Sequence, residues 1–182
     1  MPDTITAVTY AIDPVHSTAG FKVRHLMVSN VRGEFSGIAG VVVFDPENAA
    51  HSKVEATIDA ATINTRDAQR DQHLKSADFL DVEKFPKIAF VSKKVAPAGE
   101  GEWKVTGDLT IHGVTREVTL AVEGPAPEAR DPWGGVRSGV SATAKVNRKD
   151  FGLVWNMALE TGGVLVGDEI AIHLELELIR QK

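Results

Sequence analysis

Six histidines are the residues of this chain best suited to hold a metal ion, and their spacing decides whether they can. They stand at positions 16, 25, 51, 73, 112 and 173. A local zinc chelate needs two histidines four residues apart on a helix, or a His-x-His pair on a strand. Neither spacing occurs, and the chain has no cysteine to supply a thiolate. The sequence therefore predicts no metal site, and no motif in it indicates any other cofactor.

Asp13, His16 and Ser17 are the residue types of a hydrolytic triad, but they are neighbours in sequence. Triads converge in space from separate elements. The chain also lacks a G-x-S-x-G nucleophile elbow, a P-loop and a dinucleotide fingerprint. We therefore expect no enzymatic activity, and we interpret the Asp-Pro-x-His-Ser run as a turn into the next strand.

A segment rich in charged and polar residues spans residues 65–76, TRDAQRDQHLKS, and it shows no strand-like alternation. Thr65 is a suitable cap for a short helix opening at Arg66, and Leu74 is an apolar anchor that would dock the helix on the rest of the fold. Two interpretations of Arg66 and Arg70 stay open. They form ordinary surface ion pairs, or they bind the polar headgroup of a ligand as part of a lid.

Two further polar positions have competing interpretations. His25 follows Phe21 and Val23 on the same face of a strand, where an unbonded histidine is costly. It is a hydrogen-bonded residue at the rim, a headgroup anchor or, less simply, a metal ligand. In residues 147–152, NRKDFG, we expect an Arg148–Asp150 contact, with Phe151 closing one end of the core or touching a ligand.

Strands must position these residues, because alternation of apolar and polar side chains dominates the chain. It is clear in residues 118–123, VTLAVE, and in residues 170–178, IAIHLELEL. A period of two with one apolar face is typical of antiparallel sheets. The pattern predicts strands at residues 7–13, 18–28, 33–45, 52–60, 86–95, 102–112, 115–124, 136–147 and 168–180.

One face of these strands is apolar and the other is charged. The apolar set comprises Phe21, Val23, Phe35, Ile58, Phe90, Leu109, Val140 and Leu174. A barrel of eight strands encloses room for side chains or for one small ligand. Ser138, Ala142 and Ala144 are small residues on the presumed inner face, and they leave space. Either a bound apolar chain fills that space, or the sheets close in on it.

Composition excludes several classes of protein. The chain has 182 residues, which suits a single domain over 1–182, and its net charge of −5 argues against nucleic-acid binding and against attraction to anionic membranes. No apolar run reaches the roughly 18 residues of a membrane helix. Residues 1–11 lack the pattern of a secretory signal, so a cytoplasmic location is expected unless a signal has been removed.

Several long stretches resemble the YceI-like family of lipid-binding proteins. They are DPVHS with FKVRHLMVSNVRGEFSG, then IDAATINTRDAQRDQHLKSADFLDVEKFPKIAF, VTGDLTIHGVTREVTL and NRKDFGL, and they run through most of the chain. The resemblance implies an all-β fold: an elongated, antiparallel, eight-stranded, lipocalin-like barrel with a short helical insert at one end. It also implies an apolar pore that holds an isoprenoid, an isoprenoid quinone or a fatty amide, for carriage, storage or protection.

The functional hypothesis is therefore binding of a long-chain amphiphile, with no cofactor and no nucleic-acid partner. The alternative is a structural or interaction protein with a packed interior, for which a homodimer through a sheet edge is one form. The candidate ligand-binding residues are Phe21, Val23, His25, Phe35, Ile58, Arg66, Arg70, Leu74, Phe79, Phe90, Leu109 and Phe151.

Overall fold

The computed structural model describes residues 6–182 as eleven strands, one α-helix and three short 3-10 helices. Residues 1–5, which belong to the predicted domain and to the segment searched for a signal, lie outside the described residues. The strands are β1 Val8–Ile12, β2 Thr18–His25, β3 Ser29–Phe35, β4 Ile38–Phe44, β5 Lys53–Asp59, β6 Lys87–Gly99, β7 Glu102–Ile111, β8 Val114–Glu123, β9 Ala129–Arg130, β10 Val136–Asn147 and β11 Val166–Arg180. The helix α1 is Ala68–Lys75, and the 3-10 helices are Ala49–His51, Ala60–Thr62 and Arg148–Phe151.

The strands close into an antiparallel barrel of eight positions. The circuit runs β11, β1, β4, β5, β6, β7, β8 and β10, and it closes because β10 also pairs with β11 from Asn147↔Glu169 to Arg137↔Ile179. On its other edge β11 pairs first with β2 and then with β1, so those two segments act as one interrupted strand. Strands β1 and β2 form one arm of a long hairpin, and strands β3 and β4 form the other arm. The predicted eight-stranded barrel is confirmed.

Alternation of side chains produces this closure. In β7 the buried positions are Val105, Gly107 and Leu109, each separated by a residue that is not fully buried. The next turn, His112–Gly113, has positive φ at both residues (55° and 71°), the type I′ geometry that suits a two-residue hairpin. The tight hairpin predicted there is therefore present.

Antiparallel pairing sends successive connections to opposite ends of the barrel. The end that we call the helix end carries α1 and holds residues 26–28, 60–86, 112–113 and 148–165. The far end holds residues 45–52, 100–101 and 124–135. The helical insert lies at one end, as predicted.

The predictions for the helix start, its cap and the end of one strand are wrong. The helix begins at Ala68 and not at Arg66, because Arg66 has a φ of 65° that no right-handed helix accepts. Its cap is Asp67, whose carboxylate accepts a hydrogen bond from the Arg70 amide, and not Thr65. The predicted strand over 18–28 ends at His25, because the chain turns sharply at residues 26–28.

Across residues 6–182, no helix has both the length and the apolar character that a membrane crossing requires.

Candidate functional site

An apolar cavity of about 280 Å³ lies inside the barrel. All eight strand positions contribute to its wall, which extends from Val23 and Leu153 near the helix end to Phe44 and Pro125 near the far end. For scale, an apolar cavity of about 150 Å³ suffices to hold a benzene molecule and stays free of water. The interior is therefore not filled by the protein's own side chains.

The structure places most of the candidate binding residues on this wall. They are Phe21, Val23, Phe35, Ile58, Leu74, Phe79, Phe90, Leu109 and Phe151. Of the small residues expected to leave space, Ala142 lies on the wall and is 5% exposed. Ser138 and Ala144 are not wall residues, and the Ser138 hydroxyl donates to the Ala126 carbonyl. That any of these residues contacts a ligand stays a prediction.

Glycines shape the wall by letting aromatic rings lie across the neighbouring strand. A Cβ at Gly33 would come within 2.4 Å of the Phe21 ring, and one at Gly107 would come within 2.7 Å of the Phe90 ring. Gly33 is directly opposite Phe21 in the β2–β3 pairing. These two positions therefore fix the inward-facing rings without filling the cavity.

The helix end of the cavity is covered by the insert. Leu74 of α1 lies on the wall, as its role of apolar anchor requires, and Phe79 and Leu80 follow it there. The His73 and Trp155 rings meet edge to face with centroids 4.6 Å apart, and Phe79 is 5.4 Å from Trp155. This aromatic cluster joins the insert to the 148–165 connection.

The three polar candidates lie off the wall. His25 is partly exposed at the hairpin end of β2, and Arg66 is exposed. Arg70 is turned toward its own loop, where Nε donates to the Thr65 hydroxyl at 2.8 Å and Nη2 donates to the Thr65 carbonyl at 2.7 Å. A headgroup role for these residues stays a prediction.

Arg148 is the wall residue that sequence reasoning misjudged. Its side chain is 3% exposed, and it does not pair with Asp150 as predicted. Instead its Nε donates to the Gly167 carbonyl at 2.8 Å, and its Nη1 donates to the carbonyls of Leu153 and Trp155 at 2.7 and 2.9 Å. Residues 153–167 fold back around this guanidinium. The partners of Arg148 therefore cannot be deduced from its immediate neighbours in the sequence.

The charge of Arg148 is only partly balanced. Nη2 lies 3.4 Å from the Val166 carbonyl and 3.6 Å from Oδ1 of Asp168. Burial lowers the pKa of the Arg148 guanidinium, while the Asp168 carboxylate acts in the opposite direction. With four hydrogen bonds to the carbonyls of this connection, the guanidinium holds residues 153–167 in place at the edge of the cavity.

At the far end, Trp103 is a second wall residue that the sequence did not single out. Its indole N–H donates to the Gly124 carbonyl at 2.8 Å, and its ring meets Phe44 edge to face at 5.3 Å. The sequence does not indicate that Trp103 lines a cavity, because residues 44, 103 and 124 come together only when the barrel closes. The indole places a rigid apolar surface at this end.

The Asp13–His16 pair forms an ion network and not a catalytic triad. Asp13 Oδ2 lies 2.8 Å from His16 Nδ1 and 2.7 Å from Arg137 Nη1, while the Ser17 hydroxyl bonds to the main chain of Glu177. The hydrogen bond to His16 is the largest cause that lowers the Asp13 pKa, and the same bond raises the pKa of His16.

This network is also the arrangement of side chains between residues 6 and 182 that could hold a metal ion, since the ligand atoms of Asp13, His16 and Glu177 lie within 4.8 Å of one another. However, Arg137 Nη1 is 2.7 Å from Asp13 and 3.4 Å from Glu177. The Arg137 guanidinium already contacts the carboxylate oxygens that a metal ion would need, so a metal ion would have to displace it.

Comparisons with known proteins agree with this architecture. A family model for the YceI-like domain matches residues 10–178. A UPF0312 protein of Staphylococcus aureus (strain MSSA476) is 40% identical over 92% of this chain and 95% of its own length. One from Vibrio cholerae (strain M66-2) is 38% identical over 84% of this chain and 82% of its own length.

Solved structures show the same fold. Burkholderia cenocepacia BcnA superposes with a TM-score of 0.77 at 26% identity, covering 91% of this chain and 98% of its own. The Campylobacter jejuni YCEI protein gives 0.71 at 32% identity, covering 88% and 91%. A domain from Saccharophagus degradans gives 0.67 at 12% identity, covering 96% and 99%, and that likeness concerns the fold alone.

Proposed function

The chain belongs to the YceI-like family, and from this premise we propose that it binds a long-chain amphiphile, of the isoprenoid or fatty type, inside the barrel. The observation that carries the proposal is the apolar cavity of about 280 Å³. A fold stabilised by close packing does not usually keep an empty space of that size. A guest that brings its own apolar surface removes that cost.

The chemistry of the wall favours an apolar chain over a polar ligand. Apart from the Trp103 indole, the polar side chains on it are Ser52 and Arg148 within the described part of the sequence. The Arg148 donors are directed at protein carbonyls and at Asp168, as described above. A ligand with many polar groups would lose its hydrogen bonds to water and find few replacements. We therefore assign the barrel to the hydrocarbon part and an end of the barrel to the headgroup.

A related domain supports the same chemical class. The Saccharophagus degradans structure is that of a polyisoprenoid binding domain, and this chain has the same barrel. Isoprenoid chains are long, flexible and without hydrogen-bonding groups, which matches a wall made of Val, Leu, Ile and Phe side chains. Carriage, storage and protection of such a molecule are all roles that this binding would serve.

The alternative, a structural protein with a packed interior, requires an inner space filled by side chains. The cavity goes against it. The network of Asp13, His16 and Arg137 and the Arg148 clamp stabilise the fold under both hypotheses, so they do not discriminate. Binding must therefore be measured directly.

The experiment uses Trp103 as a reporter inside the cavity. In a Trp133→Phe/Trp155→Phe background, Trp103 is the remaining tryptophan. Titration with geranylgeraniol, a C20 isoprenoid alcohol, is expected to change its fluorescence in a saturable way. The ring lies on the wall, so a chain entering the barrel alters its surroundings.

A pair of matched substitutions makes the test specific. Ala142→Phe adds a ring to the cavity wall, whereas Ala121→Phe adds the same ring to the exposed outer face of the neighbouring strand. Ala142→Phe is expected to weaken binding at least tenfold, and Ala121→Phe is expected to leave it unchanged. Equal binding by both variants, or no saturable signal in the parent, would contradict the proposal.

A further inference from the structure

Exposed apolar side chains are concentrated at the helix end. Of the ten large apolar residues that are well exposed across residues 6–182, six lie in two loops there, and the other four are scattered. The six, which we call the apolar tip, are Leu26, Met27, Val28, Val154, Met157 and Val164. Clustered exposed apolar residues mark an interaction surface, whereas single ones do not.

The two loops of the apolar tip touch each other. The Leu26 amide donates to the Leu165 carbonyl at 2.9 Å, and a Cβ added at Gly163 would meet the Met27 side chain at 3.1 Å. Residues 26–31 and 153–167 contain a single charged residue, Glu160. The apolar tip is therefore one nearly uncharged surface built from two connected loops.

The backbone of the hairpin supports a functional interpretation. Leu26 and Met27 have φ values of 54° and 62°, a left-handed conformation that costs large side chains energy and that Asn and Gly adopt more readily. Both residues are also exposed to solvent, at 41% and 53%. Large residues with positive φ and exposed apolar side chains both run against local preferences. Their combination at one turn is typical of sites that serve binding rather than stability.

The apolar tip continues into the wall of the barrel cavity. Leu153 and Val166 line the cavity, while their near neighbours Val154 and Val164 are exposed on the tip. On the hairpin, Val23 lines the cavity three residues before Leu26. Apolar surface therefore extends from the interior to the outside along both loops.

Basic residues lie immediately behind the apolar tip, on the outer face of the hairpin. Lys22, Arg24 and Arg32, which we call the basic collar, have no acidic partner within 4.0 Å among residues 6–182. Lys22 is directly opposite Arg32 in the β2–β3 pairing, and like charges so placed repel. At about 3.3 Å per residue, the collar lies within roughly 13 Å of the turn.

We propose that the apolar tip and the basic collar together dock this end of the barrel on a lipid bilayer that contains anionic headgroups. The tip enters the interfacial region, and the collar contacts the phosphates, although the net charge of the whole chain is −5. Six side chains on two loops are too few for a stable interface with a second copy, which needs roughly 20–30 residues on each side. Docking would also let the barrel exchange its amphiphile with the bilayer at this end. That exchange rests on the proposed function, whereas docking itself does not.

Vesicle flotation tests the docking. The parent protein is mixed with vesicles of phosphatidylcholine alone, or of phosphatidylcholine with phosphatidylglycerol, and the vesicle-bound fraction is measured. Met27→Asp/Val28→Asp removes apolar surface at the tip, and Asp tolerates the left-handed backbone at residue 27. The matched control is Trp133→Asp, which changes an 84% exposed residue at the far end.

The parent is expected to float with the mixed vesicles. The tip variant is expected to lose at least tenfold in partitioning, and the control is expected to keep it. Lys22→Gln/Arg32→Gln should lose about fivefold per charge on the anionic vesicles and little on phosphatidylcholine. A parent that does not float, or loss in the Trp133 variant instead of the tip variant, overturns the proposal.

Other occupants give distinguishable results. A parent that stays off vesicles but forms dimers that the tip variant lacks would identify a second copy as the partner, and would also overturn the proposal. Geranylgeraniol binding by the parent is measured in parallel. A parent that docks on vesicles without binding geranylgeraniol would refute the proposed function alone, and a parent that binds geranylgeraniol without docking would refute this inference alone.

Discussion

Replacement of Arg148 by methionine should destabilise the protein strongly, although the substitution preserves an unbranched apolar stem. The guanidinium makes three hydrogen bonds of 2.7 to 2.9 Å to the carbonyls of Leu153, Trp155 and Gly167. Hydrogen bonds from a charged donor contribute about 1.5–3 kcal/mol each. Part of that sum is offset because the ion no longer has to be buried and because loop carbonyls can turn to water.

The net loss should therefore be about 3–5 kcal/mol, because three carbonyls lose their donor and each buried group left unpaired costs about 1–3 kcal/mol. Such a loss is a large share of the roughly 5–15 kcal/mol that separates folded from unfolded domains. Urea denaturation of ligand-free protein gives the free energy of unfolding of each variant. Arg148→Lys, which keeps the charge but not the planar fork, should recover less than half of the loss.

Hydrogen exchange locates the effect. In Arg148→Met, amides of residues 153–167 should exchange faster than in the parent, while amides of β7 and β8 should change only with global stability. A loss of less than about 1 kcal/mol, with unchanged exchange in residues 153–167, would refute the clamp assigned to Arg148.

Three further outcomes are expected. Gly107→Ala should cost about 1–3 kcal/mol in urea denaturation, because its Cβ would lie 2.4 Å from the Val91 carbonyl oxygen, whereas Gly139→Ala, with its nearest atom at 3.5 Å, should be tolerated. Leu178→Ala, at a fully buried position, should cost about 2–5 kcal/mol, and a loss below 1 kcal/mol would contradict its place in the core. The pKa of Asp45 is lowered to about 2, first by the hydrogen bond from the Thr6 hydroxyl. Its contribution is therefore present above the ordinary carboxyl pKa and lost as pH falls toward 2, so the Tm deficit of Asp45→Asn should shrink over that range; a constant deficit would contradict this.

The barrel and most of its wall could be predicted from the sequence, because alternation assigns each side chain of a strand to one face. Alternation predicts that Phe21, Phe90 and Leu109 face inward, and all three line the cavity. The hairpin at residues 26–28 could not be found in the same way. It has positive φ at Leu26 and Met27, where the usual Asn or Gly signal is missing.

Residues that act across the closed barrel were also beyond local reasoning. The carbonyls bound by Arg148 belong to a connection that returns to it from residue 153 onward, and nearby Asp150 was the obvious but wrong partner. The sequence leaves two interpretations of Arg70 open, a surface ion pair or a contact with a ligand headgroup. Thr65, displaced from the capping position by Asp67, receives its hydrogen bonds instead. The helix begins two residues later than predicted, and Thr65 is therefore free to accept these hydrogen bonds.

The most direct test of the central claim is native mass spectrometry of the protein purified without detergent. Binding of an amphiphile in the cavity predicts a species heavier than the bare chain, whose extra mass appears as an apolar molecule in an organic extract. Ala142→Phe should reduce this species, and Ala121→Phe should retain it. A parent protein that carries no adduct, and takes up none when geranylgeraniol is added, would contradict the account.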